Sequence, residues 1–123
     1  MTCPKRRLAP FVCACLVVAL GAASAAAHAI VMASKPAVDA TVAGPNVPIE
    51  LRFNSRIDRA RSRLTLVGPD RSAKTLPLGA DTAPDLLTAR ANDLAPGAYR
   101  LRWQVLSIDG HITRGDIPFT VGH

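Results

Sequence analysis

The run "LAPGAYRLRWQVLS", residues 94–107, sets the fold class. Pro96-Gly97 signals a type II turn, because glycine accepts the positive φ of the third turn position. Beyond it Tyr99, Leu101, Trp103 and Val105 fall on one side of an extended strand, and Arg100, Arg102 and Gln104 on the other. Alternation with period two marks a half-buried β-strand. Working outward, "IELRF" at 49–53, "LTL" at 64–66 and the series Ile117, Phe119, Val121 repeat the pattern, and residues 75–78 and 86–91 form weaker strands. "VGPDRS" at 67–72 is a turn, with Pro69 preset for a bend beside Gly68 and Asp70.

No stretch between residues 28 and 123 sustains an apolar repeat of 3.6 residues, and eight prolines and seven glycines punctuate it. About seven short strands with a turn every 8–12 residues predict an all-β fold, a Greek-key, immunoglobulin-like β-sandwich. Phe53, Tyr99, Trp103 and Phe119 are the expected core anchors. Each aromatic of this kind buries about 150–250 Å².

The first 27 residues read differently. Lys5, Arg6 and Arg7 form a basic cluster, and residues 8–27 are uncharged and end in Ala25-Ala26-Ala27. That order describes a cleavable secretory signal peptide over residues 1–27, cut between Ala27 and His28. The apolar run approaches the span of about 20 residues that a membrane anchor needs. Its second half, however, is Ala, Gly and Ser rather than Leu or Ile. The exported chain is then residues 28–123, one small domain of 96 residues with no stable membrane insertion.

Cleavage also removes Cys3, Cys13 and Cys15, so no disulfide is expected in an oxidising compartment. Loss of Lys5, Arg6 and Arg7 lowers Lys+Arg from 15 to 12 against nine Asp+Glu, and the net charge from +6 to +3. Arg56, Arg59, Arg61 and Arg63 cluster, but Asp58 interrupts them and aromatics are scarce. A solvated basic face is expected there, not a nucleic-acid surface.

The candidate chemistry lies with two of three histidines. In "SAAAHAI", residues 24–30, cleavage creates an α-amine on the residue that carries the His28 imidazole. An α-amine has an ordinary pKa of about 7.7–8.0, so a metal competes readily for it at neutral pH. Amine nitrogen and ring Nδ1 close a chelate, and two nitrogens in a plane suit the tetragonal preference of Cu(II). In "SIDGHITRG", residues 107–115, Asp109 and His111 are two apart and would share a side in an extended chain, with Gly110 allowing a bend. They would add a nitrogen and a carboxylate oxygen. Asp-Gly alone is also an ordinary hairpin turn. His123, at the fraying end, is assigned no role.

The segments "HAIVMASKPAVDATV" (28–42), "IELRFNSRID" (49–58) and "LAPGAYRLRWQVLSIDGHITRGDIPFTV" (94–121) resemble the CopC-type periplasmic copper-binding proteins. The resemblance implies a cupredoxin-like or immunoglobulin-like β-sandwich. It implies one Cu(II) held by the amine and imidazole of His28 with Asp109 and His111. An inner-membrane copper transporter is the implied partner. Two departures stand out. The methionine-rich Cu(I) loop of some members is missing, Met32 being the one methionine after the signal. Many relatives carry a Glu near the position of Ser55, which here supplies no charge to support the amine.

The expected function is a soluble, monomeric Cu(II) carrier or buffer in copper resistance or homeostasis, not an enzyme. Two other readings compete. One is a histidine-brace copper oxidase or monooxygenase, which would need a broad substrate face around the ion. The other is a metal-free immunoglobulin-like interaction domain, whose melting temperature a chelator would leave unchanged.

Overall fold

Strands that alternate apolar and polar residues each need a facing layer, and two sheets supply it. In the computed structural model, which describes residues 28–80 and 82–123, eight strands and no helix form a β-sandwich. The strands are β1 (Val31–Lys35), β2 (Ala40–Ala43), β3 (Val47–Phe53), β4 (Ile57–Val67), β5 (Ala73–Leu76), β6 (Leu86–Ala91), β7 (Gly97–Ser107) and β8 (Ile112–Gly122). One sheet has the order β1-β3-β6 and the other β2-β8-β7-β4-β5. All pairs are antiparallel except β2 with β8. The signal segment expected at residues 1–27 lies outside the described residues.

The alternation in β7 holds: Tyr99, Leu101, Trp103 and Val105 are buried, and Arg100 and Arg102 are exposed. Phe53, Leu51, Ile49 and Val47 of β3 meet them from the opposite sheet in one core. All four expected aromatic anchors are buried. Phe53 meets Trp103 edge to face with centroids 5.5 Å apart, and Tyr99 stacks on Phe119 at 5.7 Å. The Tyr99 hydroxyl donates to Ala95 O at 2.7 Å. This contact is a tyrosine corner, a recurrent tie at the entry to a sandwich strand.

Several details depart from the sequence expectation. There are eight strands rather than about seven. β1 and β2 escape pattern reading because neither has a fully buried residue: β1 does not alternate, and the short β2 alternates only between half-buried and exposed. Pro96-Gly97 is not a type II turn. Gly97 is already the first residue of β7, at φ +152° instead of about +80°. Glycine is needed there because a Cβ would lie 2.8 Å from Pro69 Cγ. The basic cluster is only partly a solvated face. Arg59 folds inward and donates through Nη2 to Thr82 O at 3.1 Å and Thr82 Oγ1 at 2.6 Å.

For function, one end of the sandwich matters. The β7–β8 hairpin turn, residues 108–111, projects there. Residues 28–30 run across the same end, tied to Asn54 just beyond β3 and to Thr113 on β8. The chain's entry into the fold therefore straddles the two sheets.

Candidate metal centre

The β7–β8 connection is built around Ser107, the one buried polar residue among the described residues, at 3% exposure. Its N–H donates to His111 O at 2.8 Å, and Gly110 N–H donates back to Ser107 O at 2.9 Å. The Ser107 hydroxyl donates its one proton to Asp109 Oδ1, lies 3.0 Å from His111 O, and accepts from His111 N–H at 3.2 Å. Gly110 takes φ +95°, in the left-handed region that side-chain-bearing residues avoid. No atom would crowd a Cβ there, so conformation rather than space requires this glycine.

The turn brings Asp109 to His111, with Oδ1 3.3 Å from Nδ1. Strand alternation does not do so: the two residues lie in and just after a turn, and Gly110 reverses the chain between them. Hydrogen bonding from the Ser107 hydroxyl, followed by the His111 contacts, holds the Asp109 carboxyl below the ordinary carboxylate range. A carboxyl with a lowered pKa stabilises the fold above its ordinary pKa and loses that contribution as pH falls through the lowered value. Ser107→Ala should therefore raise the Asp109 pKa towards its ordinary value, read by carboxyl NMR titration. The same variant should cost about 0.5–1.5 kcal/mol, the net worth of an ordinary hydrogen bond, because water can reach the exposed partners Asp109 and His111.

His28 reaches this turn from the other side. Its ring meets that of His111 edge to face, with centroids 5.4 Å apart and planes at 65°. With metal–nitrogen bonds of about 2.0 Å, two imidazoles on one ion stand roughly 4.5–6.5 Å apart between centroids, so the spacing fits a shared ion. Among the described residues, side chains alone do not form a closed group of three His, Cys, Asp or Glu ligands. The two rings meet and Asp109 meets one of them; convergence of all three would need side-chain rotation. The site is open, with the side chains of His111 and Asp109 53% and 44% exposed.

Sequence reading missed the residues that hold His28 in place. Ala29 is buried at 2% and belongs to the core. Asn54 Oδ1 accepts from Ile30 N–H at 2.8 Å, and Asn54 N–H donates to Ile30 O at 2.9 Å. A longer contact of 3.4 Å runs from Asn54 Nδ2 to His28 O. The Thr113 hydroxyl donates to Ala29 O at 3.0 Å. Ser107 was within sight, as the first residue of "SIDGH". Asn54 is the neighbour of the Ser55 whose lost charge drew notice, and nothing in the sequence marks Thr113.

A cleft of about 1100 Å³ opens elsewhere, between β5 and β6, over Leu66, Leu76, Ala89 and Tyr99. None of His28, Asp109 or His111 lines it.

The CopC domain family matches residues 31–122, the span from the first residue of β1 to the last of β8. It thus takes in Asp109 and His111 and begins three residues after His28. Protein YobA of Escherichia coli K12 is 33% identical over 111 residues, covering 88% of this chain and 90% of that protein. Copper resistance protein C of Xanthomonas campestris pv. juglandis is 33% identical over 110 residues, covering 83% and 86%. Among solved structures, CopC from Methylosinus trichosporium OB3b superposes with a TM-score of 0.66 at 32% identity, over 76% of this chain and 93% of that one. With every strand of the sandwich inside the matched span, the chain belongs to the CopC family.

Proposed function

We propose that the exported chain, residues 28–123, is a periplasmic Cu(II)-binding protein that carries or buffers copper in resistance or homeostasis. The observation that carries this reading is the meeting of the His28 and His111 rings, with Asp109 against His111, at the open end of a CopC-family sandwich. One Cu(II) is the cargo. The amine and Nδ1 of His28 supply two nitrogens, His111 a third, and Asp109 an oxygen. Because the Ser107 hydroxyl holds Oδ1, Oδ2 is the oxygen that turns to the ion. The donors are nitrogen and hard oxygen, a set that suits Cu(II) over Cu(I).

An exposed site fits a carrier that must both take up and release its ion. It acts as a binder and not as an enzyme, as a monomer, and it hands copper to an inner-membrane transporter. Removal of residues 1–27 as a signal peptide is part of the proposal, since the amine does not exist before that cut.

Titration of protein beginning at His28 with Cu(II), against a competing chelator, tests the reading. One tight equivalent is expected. His111→Ala should weaken it by at least about tenfold, the lower end of what loss of a supporting contact alone costs a metal site. No tight equivalent, or wild-type affinity in His111→Ala, would overturn it.

A further inference from the structure

Four backbone groups in the segment that carries His28 are engaged by two residues outside it. Asn54 takes Ile30 N–H and Ile30 O, at 2.8 and 2.9 Å, and reaches His28 O at 3.4 Å. Thr113 takes Ala29 O at 3.0 Å, and the Ala29 side chain is sunk in the core. Asn54 follows β3 in one sheet and Thr113 lies in β8 of the other, so the segment is held from both layers.

We infer that Asn54 and Thr113 are positioning residues that fix the backbone of residues 28–30, so that the amine and imidazole of His28 face His111. This rests on the proposed Cu(II) reading and concerns how the site is prepared for the ion. A chelating terminus left to itself samples many backbone conformations. Fixing a residue's backbone carries an entropic cost. Here the fold has already met that cost before copper arrives, and preorganisation of this kind raises affinity without adding a ligand.

The chemistry of the clamp matters as much as its place. A carboxamide both accepts and donates, so one Asn side chain can serve Ile30 N–H and His28 O together. It carries no charge. A carboxylate in its place would keep the acceptor but lose the donor. Asn54 thus engages the segment through both its acceptor and its donor. Ser55, next in the chain, takes no part in these contacts.

The test uses protein beginning at His28, with wild type, Asn54→Ala, Asn54→Asp, Thr113→Val and Thr113→Ser compared by Cu(II) competition. Contacts that orient metal ligands are typically worth 10–100-fold in affinity. Asn54→Ala and Thr113→Val should each weaken binding by about that factor and broaden the Cu(II) EPR signal into more than one species. Thr113→Ser, which keeps the hydroxyl, should restore wild-type affinity. Asn54→Asp, which keeps the acceptor for Ile30 N–H and loses the donor to His28 O, should bind more weakly than wild type.

Two further readouts separate positioning from general stability. In metal-free protein, the NMR contact between the His28 and His111 rings should be lost in Asn54→Ala and kept in Thr113→Ser. In an Nα-acetylated His28→Ala background, which lacks both donors of residue 28, Thr113→Val should cause no additional loss of copper affinity. Wild-type affinity in both Asn54→Ala and Thr113→Val, beside a tightly binding wild type, overturns the positioning role and leaves the proposed function standing. A wild type that binds no Cu(II) overturns the proposed function, and this role with it. Should Asn54→Ala fail to fold, the near-isosteric Thr113→Val alone decides the matter.

Discussion

A protein that keeps a single extra residue ahead of His28 is expected to lose tight Cu(II) binding. With Ala27 retained, the nitrogen of His28 becomes a peptide nitrogen. Its imidazole, the Asp109–His111 turn and the whole sandwich stay as they are. What disappears is the pairing of two donors on one residue. Joining two binding groups on one frame gains about 10²–10⁴ in overall affinity, and the loss should fall in that range. Competition titrations of three proteins, beginning at His28, beginning at Ala27 and beginning at an Nα-acetylated His28, would measure it. Equal melting temperatures without copper would show that the fold is untouched. Wild-type affinity in the acetylated protein would remove the amine from the site and return His28 to a surface imidazole; wild-type affinity in the extended protein would show that the amine need not sit on the histidine itself. The pH dependence has a fixed sign. An α-amine has an ordinary pKa of about 7.7–8.0 and must shed its proton to bind, so affinity should fall as pH is lowered through and below that range. The acetylated protein should show a flatter dependence there.

The same comparison shows how far the site could be read from sequence. Residue type and the proximity of His28 to a cleavage pattern pointed to chelate chemistry, and "DGH" pointed to its other half. The chain contains no local signal that these two segments, more than 80 residues apart, meet. That juxtaposition comes from Ala29 entering the core and from Thr113 reaching Ala29 O. Asp109 and His111 were paired by the wrong geometry, alternation along a strand, when the pairing is made by a hairpin turn with Gly110 at φ +95°. A turn and a strand can bring residues i and i+2 together equally well, so Asp109 and His111 meet, but for a different reason. The fold was legible wherever one face is buried. β6, at Leu86–Ala91, lies at the expected limits, and β7 and β8 extend past theirs. β1 and β2 were not legible, because edge strands with both faces partly wet leave no periodic trace.

The second large effect is expected in the core, at Trp103. The indole is buried between the sheets with its edge against Phe53, and across the β7–β8 pair it lies over Gly115. Trp103→Ala should cost about 3–5 kcal/mol, the usual range for removing a large core aromatic. Single domains have about 5–15 kcal/mol in total. In a domain of this length each kcal/mol is worth about 4–8 °C, so the melting temperature should fall by on the order of 20 °C. Cavity formation is a general argument, and Gly115 makes a sharper one. A Cβ at residue 115 would lie 2.5 Å from Trp103 Cζ2 and 2.7 Å from Nε1, closer than any side chain tolerates. The indole occupies the space that a side chain would need, so Gly115→Ala must displace the ring or part the strands. About 1–3 kcal/mol is the expected cost of such overpacking. In a Trp103→Phe background the six-membered ring ends short of Gly115, and the added methyl should then cost less. Thermal or denaturant unfolding of wild type, Gly115→Ala, Trp103→Phe and the double variant closes the cycle. Residues in contact couple by about 0.5–3 kcal/mol, whereas independent sites add to within about 0.3–0.5 kcal/mol. Additivity within that lower limit would mean that Gly115 is required for some reason other than the indole. A coupling above it assigns the absence of a side chain at 115 to the presence of a tryptophan at 103.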